Sequence, residues 1–234
     1  MSDLGVAFGE AWTLLTRLDP QLVQIVALSL EVSLTAVAIA TVIGLPLAAL
    51  IAVERFPGRP ALIVLLNALM GLPPVVVGLL VYLLLSRAGP LGSLGILFTP
   101  AAMVIAQTVL IVPIVAALAR QTLEDAWREY EEQLRSLGAA RHTAALTLIW
   151  DTKFSLVTIV LAGFGRAAAE VGAVMIVGGN IDGVTRVMTT AIALETSKGD
   201  LPLALGLGIV LIGLIVALNA AASLVKDLAV RRYG

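Results

Sequence analysis

Cysteine is missing from all 234 residues of this sequence, and histidine occurs once, at His142. The first absence excludes disulfides, thiolate metal sites, iron–sulfur clusters and a cysteine nucleophile. The second excludes a metal cluster built on several histidines. We therefore expect no metal or other cofactor, and without cysteine the sequence gives no indication of the redox compartment.

Charged residues are also scarce, at 13% of the chain, whereas hydrophobic residues reach 59% and the mean hydropathy is +1.03. A soluble domain is about half apolar and about a quarter charged. The composition therefore predicts an integral membrane protein in contact with lipid. A net charge of −1 provides no basic field that would favour a nucleic-acid partner.

Motifs for nucleotide binding and hydrolysis are missing as well. The sequence has no G-x-x-x-x-G-K-[ST], G-x-G-x-x-G, H-E-x-x-H or G-x-S-x-G pattern. We expect no catalytic residues and no enzymatic activity, and a membrane-embedded enzyme has no motif in its favour. Energy from ATP would have to come from a separate subunit.

Apolar segments of about 20 residues are long enough to cross a hydrocarbon core about 30 Å thick. The second such segment is interrupted by Gly-Leu-Pro-Pro at 71–74, which must break or kink a helix. Pro113 lies inside the third segment, and Asp200 is a natural N-cap for the fifth. The sequence predicts an all-α polytopic protein with about five transmembrane helices, over residues 22–53, 61–86, 100–119, 154–179 and 201–225.

Lysine and arginine positions predict the orientation, because basic residues in short loops are retained in the cytoplasm. Five helices divide the loops into one set with ten lysine or arginine residues and another with four. The larger set contains residues 120–153 and the C-terminus, which should be cytoplasmic. The N-terminus and residues 180–200 should face outward from the inner or plasma membrane.

The chain divides into three expected parts. Residues 1–20 form either a short interfacial helix with Trp12 at the headgroup level or a disordered tail. Residues 21–226 form the transmembrane domain, which includes the polar loop 120–153, and residues 227–234 form a cytoplasmic tail.

The polar loop contains the stretch EEQLRSLGAARHTAALTLIWD, from Glu131 to Asp151. Its apolar residues recur at helical spacing, and Gly138, which costs a helix about 1 kcal/mol, marks a bend or a close backbone approach. Two short helices that meet near this glycine would form a projection that another protein can bind. A solvated loop that only joins two spanning helices is the alternative.

A glutamate followed six residues later by glycine, in a cytoplasmic loop, resembles the EAA loop of ABC importer permeases. In that family the loop forms the coupling helix that inserts into a cleft of the ATPase subunit. Gln133 and Leu134 replace the two alanines of the family motif, and its Leu-Pro falls on Trp150 and Asp151. The resemblance implies an ATPase-coupling site formed by Glu131, Glu132, Leu134, Arg135, Gly138 and Ala139.

A second stretch, GRAAAEVGAVMIVGGNIDGVTRVMTTAIALET, runs from Gly165 to Thr196. Its order of an acidic residue, a glycine-rich turn and a threonine-rich segment resembles the signature of permeases for tetrahedral oxyanions, most of all the tungstate type. With the polar loop, the resemblance extends over roughly residues 61–219. It implies the type I ABC importer permease fold, a homodimer, two copies of an ATP-binding cassette ATPase on the cytoplasmic side and an extracytoplasmic substrate-binding protein.

Arg166 and Glu170 lie four residues apart, so they share one face of the fourth predicted helix and can pair. An unpaired charge at mid-membrane costs about 2.5–3.5 kcal/mol on insertion scales, so both side chains should point inward. The pair either fixes helix packing or takes a direct part in gating or guiding an anion. The small residues around it allow close approach within one bundle or between two subunits.

Hydroxyl groups follow the turn at residues 178–180, and such donors suit an oxyanion, which only accepts hydrogen bonds. Threonines also cap helices and fill packing gaps, so a structural role is the alternative. The residues expected to form the pathway or its gate are Arg166, Glu170, Gly172, Asn180, Thr185, Thr189 and Thr190.

These observations predict a permease subunit that imports an oxyanion, with tungstate first, molybdate second and sulfate third. The alternative from another class is an ion-coupled secondary transporter or channel that uses Arg166 and Glu170.

Overall fold

The structure is a computed structural model that describes residues 5–6, 8–9, 12–13 and 20–233, with residues 21 and 225–233 as backbone only. The predicted segment 1–20 lies for most of its length outside the described residues. From residue 20 onward the chain forms nine α-helices. They are α1 (Pro20–Val53), α2 (Arg59–Leu69), α3 (Pro74–Leu85), α4 (Pro100–Ser136), α5 (Arg141–Asp151), α6 (Lys153–Ala168), α7 (Gly172–Gly178), α8 (Met188–Lys198) and α9 (Leu201–Tyr233), with a 3-10 turn at Gly92–Leu94.

Three segments of these helices are long and apolar enough to cross a membrane, namely Leu22–Val53, Pro100–Ser136 and Leu201–Leu224. Two more spans result if each bent pair of helices crosses as one: α2 with α3, which meet at 102°, and α5 with α6, which meet at 74°. The described residues therefore give three to five spans. The prediction of an all-α fold with about five transmembrane helices is confirmed.

Proline residues place several helix boundaries where the sequence predicted them. The break at 71–74 separates α2 from α3, and Pro74 begins α3, where its missing N–H has no helical partner to lose. Pro100 begins α4 in the same way, and Pro113 is accommodated inside that helix. Asp200 caps α9, since its Oδ1 accepts a hydrogen bond of 3.2 Å from the Leu203 N–H.

The prediction of one continuous helix over residues 154–179 is wrong. α6 ends at Ala168 and α7 begins at Gly172, after a three-residue break. Apolar periodicity did not indicate this break, because small and apolar residues continue across it. One contribution is local: the Glu170 carboxylate accepts a hydrogen bond from the Ala173 N–H, at 3.0 Å, and so competes with a continued helix.

The third predicted helix, residues 100–119, is too short. α4 has 37 residues and ends only at Ser136, so it includes the first half of the predicted polar loop. The bend expected at Gly138 is present, since this residue has a φ of 68° in the turn between α4 and α5. Only glycine adopts this left-handed backbone routinely.

The centre of the bundle is the packing of α1 against α4. Small residues allow a close approach: a Cβ on Gly44 of α1 would lie 3.0 Å from the Val115 Cγ1 of α4. Buried alanines, among them Ala36 and Ala40, line the same interface. α6 packs on both helices, so the break after Ala168 lies against the centre of the bundle.

Candidate functional site

The predicted pair of Arg166 and Glu170 is present at the break between α6 and α7. Arg166 Nη1 lies 2.6 Å from Glu170 Oε2. The Glu170 side chain is 3% exposed and that of Arg166 is 35% exposed. Glu170 lies beyond the end of α6, so the pair connects the last turn of that helix to the break and does not stabilise a continuous helix.

Three neighbouring helices are connected to this break by hydrogen bonds. The Glu170 carboxylate accepts from the first turn of α7 at Ala173, and the Glu170 carbonyl accepts from Thr189 Oγ1 of α8 at 2.8 Å. Gln107 Nε2 of α4 donates to the Ala167 carbonyl at 3.1 Å. A helix break in a membrane protein needs such partners for its free backbone groups. We refer to residues 166–173 with these partners as the hinge.

A small cavity lies beside the hinge. Its volume, about 10 Å³, leaves room for about one water molecule. Its lining includes the polar residues Ser29, Ser33, Gln107, Glu170 and Thr189. An ion with four oxygen atoms does not fit into this space.

Gly172 lets α3 approach the hinge. A Cβ on this residue would lie 2.9 Å from Val75 Cγ2 in the first turn of α3. One turn further along α3, a Cβ on Gly78 would lie 2.7 Å from the Cα of Ala173, the residue after Gly172. The α3–α7 contact therefore depends on two glycines.

A second group of the predicted residues surrounds the C-terminal end of α7. Thr185 Oγ1 donates to the Gly178 carbonyl at 2.6 Å and accepts from the Ile181 N–H at 2.9 Å. Asn180 Nδ2 lies 3.4 Å from the Thr190 carbonyl, and the Thr190 hydroxyl caps α8. The structure thus unites Arg166, Glu170, Gly172 and Thr189 at the hinge, and Asn180, Thr185 and Thr190 around the following turn.

Replacement of Thr185 by valine should destabilise this turn by about 1–3 kcal/mol, because the Ile181 N–H and the buried Gly178 carbonyl would lose their partner. Replacement by serine keeps the hydroxyl and should cost less than about 1 kcal/mol. Denaturation of the purified permease in mixed micelles measures both. Equal stability of the two variants would contradict the assigned hydrogen bonds.

The six predicted coupling residues lie together at the end of α4 and in the following turn. Glu131 pairs with Arg135 at 2.7 Å, and Leu134 packs against the cluster that contains Trp127. Glu132 is exposed, and the Ala139 N–H donates to the Leu134 carbonyl at 3.0 Å across the Gly138 turn. The segment is held against the bundle on one side and open on the other.

The apolar stripe expected in this segment is only partly buried, since Ala144 and Leu148 are buried but Leu137 is exposed. Leu146 and Trp150 of α5 are also exposed, and the sequence analysis missed them. The spacing of four between Leu146 and Trp150 was the available signal. Exposed apolar residues beside charged ones are typical of a contact surface.

Gln107 was missed as well. It is buried near the start of α4 and donates to the hinge. A single amide in an otherwise apolar spanning helix was the signal for it, since polar groups in the membrane interior are costly and face partners.

Long apolar helices and a buried ion pair at a helix break define a polytopic membrane protein. No family model matches the chain. It is 42% identical over 220 residues to the tungstate uptake system permease protein TupB of Peptoclostridium acidaminophilum. The aligned residues cover 94% of this chain and 96% of that relative. It is 37% identical over 218 residues to a probable anion ABC transporter permease protein of Haloferax volcanii, covering 91% and 94%. A more distant relative is the molybdenum transport system permease protein ModB of Escherichia coli, 32% identical over 192 residues and covering 78% and 83%.

The chain belongs to the family of ABC transporter permeases that includes these tungstate and anion permeases. It is therefore a multi-pass membrane protein and a transporter subunit, not an enzyme. Membership in this family implies a partner ATPase and a substrate-binding protein. The alternative of an ion-coupled secondary transporter or channel receives no support from these relatives.

Proposed function

We propose that this chain forms the membrane pathway of an importer for tungstate, with molybdate as the second candidate and sulfate as the third. The observation that carries the proposal is the 42% identity, over 94% of this chain, to a tungstate uptake permease. The match includes the hinge and the coupling segment. A molybdenum permease is related at only 32%, which supports the order of substrates.

Two copies of the chain should form one pathway, each associated with one ATPase. Three to five spans are few to enclose a route for an ion. α9 supports this arrangement, since only 22% of its most apolar window is buried and Ile212 and Val216 are exposed. Such a face needs either lipid or a second copy beside it.

The coupling segment, residues 131–139, should lie in the cytoplasm together with the C-terminal tail 227–234, and the N-terminus should lie outside. The distribution of lysine and arginine between the loops supports this orientation. The transmembrane domain, residues 21–226, would then receive the movement of the ATPase through the segment that contains Glu131, Glu132, Leu134, Arg135, Gly138 and Ala139.

The hinge should act as the gate. Arg166, Glu170 and Gly172 form a compact junction of α6, α7 and α3, with Thr189 from α8. A junction of this kind supports two packings of the same helices, between which ATP binding shifts the population. Asn180, Thr185 and Thr190 would hold the outer turn. They would contact the anion only when the gate is open.

Reconstitution of the permease with its ATPase and substrate-binding protein in liposomes tests the proposed function. Tungstate should accumulate only with ATP, and molybdate and sulfate should compete more weakly. The control replaces ATP with a proton or sodium gradient of matched size. Uptake driven by a gradient without ATP would refute the proposal.

Gly138→Ala should weaken the association with the ATPase by about tenfold and lower uptake in proportion. Alanine at a φ of 68° costs about 1–2 kcal/mol, and the turn would relax by reorienting α5 relative to α4. Pull-down of the ATPase at graded concentrations measures the effect.

Gly199→Ala is the matched control for that variant. Gly199 has a φ of 83°, and, as at Gly138, no neighbouring atom lies within 4 Å of the point that an added Cβ would occupy. It ends α8, far along the chain from the coupling segment. If both variants lost ATPase association to the same extent, the assignment of residues 131–139 as the coupling site would be wrong.

A further inference from the structure

An arginine-rich cleft lies where α1 ends, α2 begins and the second half of α4 passes. Its volume is about 400 Å³. Three arginines, Arg55, Arg59 and Arg128, and three glutamates line it. We refer to this space as the arginine cleft.

The glutamates of the arginine cleft are already neutralised, because each of them pairs with an arginine. The pairs are Glu54 with Arg141, Glu131 with Arg135, and Glu124 with both Arg59 and Arg120. Asp125 adds a fourth carboxylate, which is exposed and lies 3.6 Å from Arg128. The residues that line the space are balanced, with three arginines and three glutamates. The excess of arginine arises from their ion-pair partners outside it, which are Arg120, Arg135 and Arg141 against Asp125.

The excess positive charge is largely removed from water at the base of the cleft. Side-chain exposure is 27% for Arg59, 13% for Glu124 and 11% for Arg120. Each carboxylate oxygen of Glu124 contacts one of the two arginines, so this group of three retains one positive charge. An uncompensated charge in such a position is costly and favours a bound counter-ion.

The guanidinium of Arg59 has a fixed orientation, because its Nε donates to the Ile51 carbonyl at 2.8 Å, at the C-terminus of α1. Arg55, four residues earlier, is exposed and has no carboxylate partner among the described residues. Guanidinium groups bind phosphate-type oxyanions through parallel N–H donors. One fixed guanidinium and an adjacent one without a partner form a receptor for such an anion.

We propose that the arginine cleft binds a tetrahedral oxyanion of the phosphate type through Arg55 and Arg128, with Arg59 as its fixed base. Two sources offer this chemistry: the phosphate of an anionic phospholipid and a free oxyanion in solution. Exposed apolar side chains near the cleft, on α1 and α2, would contact the acyl chains of a lipid, and they are Leu50, Val64 and Leu65. The proposal depends neither on the transported ion nor on the ATPase.

The full-length permease, purified in detergent, serves for the test. One measurement titrates phosphatidylglycerol and counts bound lipid by native mass spectrometry, with phosphatidylcholine as the zwitterionic comparison. The other titrates inorganic phosphate by calorimetry. The variant is Arg55→Gln combined with Arg128→Gln, which spares Arg59 because that residue holds α1 and α4 together.

Arg87→Gln is the matched control. Arg87 is exposed, has no ion-pair partner among the described residues and does not line the cleft. We expect the double variant to bind at least about tenfold more weakly, since a hydrogen bond to a charged group contributes about 1.5–3 kcal/mol. The control should bind like the wild type.

Each outcome decides the proposal. Tight binding of phosphatidylglycerol without binding of inorganic phosphate identifies the lipid as the source. Binding of inorganic phosphate identifies a free oxyanion. In both cases the double variant must reduce the binding. Absence of saturable binding of both to the wild type would overturn the proposal. Equal affinity of the double variant and the Arg87→Gln control would also overturn it.

Discussion

Glu170→Ala should be among the most damaging single substitutions in this permease. The change leaves Arg166 without its partner, removes the acceptor of the Ala173 N–H and empties a buried position at the hinge. Removal of one member of a buried ion pair costs about 3–5 kcal/mol. Because Arg166 is about one-third exposed, we expect the lower end, about 3 kcal/mol, in denaturation experiments in mixed micelles. ATP-driven uptake should fall at least tenfold.

Asp125→Ala is the control for this substitution. Asp125 also pairs with an arginine on a helix, but both side chains are exposed and 3.6 Å apart, so its loss should cost no more than about 0.5 kcal/mol. If the two alanine variants lost the same stability, burial of Glu170 would add nothing to the strength of its ion pair with Arg166.

A double variant separates helix packing from gating. Arg166→Leu with Glu170→Leu replaces the pair by apolar side chains, and such replacements are often neutral for stability. We expect stability to recover while uptake stays low, because the gate needs a polar junction that can open. If uptake recovered together with stability, the pair would serve packing alone.

The hinge explains why a buried ion pair is located beside a helix break. A continuous helix would satisfy its own backbone and would offer one arrangement. A broken one must obtain partners from elsewhere, and here they come from α4, α7 and α8. Since those partners belong to separate elements, a relative movement of the elements would change all of the hydrogen bonds together, as the proposed gate requires.

Much of the fold followed from the sequence because apolar length and proline position are strong signals in a membrane protein. The break at 71–74, the start of α4 at Pro100, the Gly138 turn and the Asp200 cap all follow from one residue or one short motif. The Arg166–Glu170 pair followed from a spacing of four. In each case the cause is local, so a single sequence contains it.

The features that the sequence did not predict depend on distant partners. The break after Ala168 is invisible in hydropathy, and its backbone finds partners in Gln107 of α4 and Thr189 of α8. Glu124 was predicted only as a loop residue, yet it connects Arg59 of α2 to α4. Such contacts depend on which helices become neighbours, and local periodicity carries no information about that.

Gly78→Ala should disrupt the junction of α3 and α7 although it adds only one methyl group. The new Cβ would lie 2.7 Å from the Ala173 Cα and 3.2 Å from the Ala173 carbonyl oxygen. Both contacts are with backbone, so no side-chain rotation relieves them and the two helices must separate. Overpacking of a core costs about 1–3 kcal/mol, and we expect the upper end here. Separation also withdraws α3 from Gly172 and the hinge, so uptake should fall by at least tenfold.

Gly208→Ala tests whether the crowding is the cause. Gly208 lies in α9, and no atom is within 4 Å of a Cβ at that position. Alanine there should stabilise the helix by about 0.5–1 kcal/mol. Parallel denaturation and uptake measurements on both variants provide the comparison. If Gly78→Ala had the stability and uptake of the wild type, α3 and α7 would not pack through this glycine. The hinge would then lack its contact with α3.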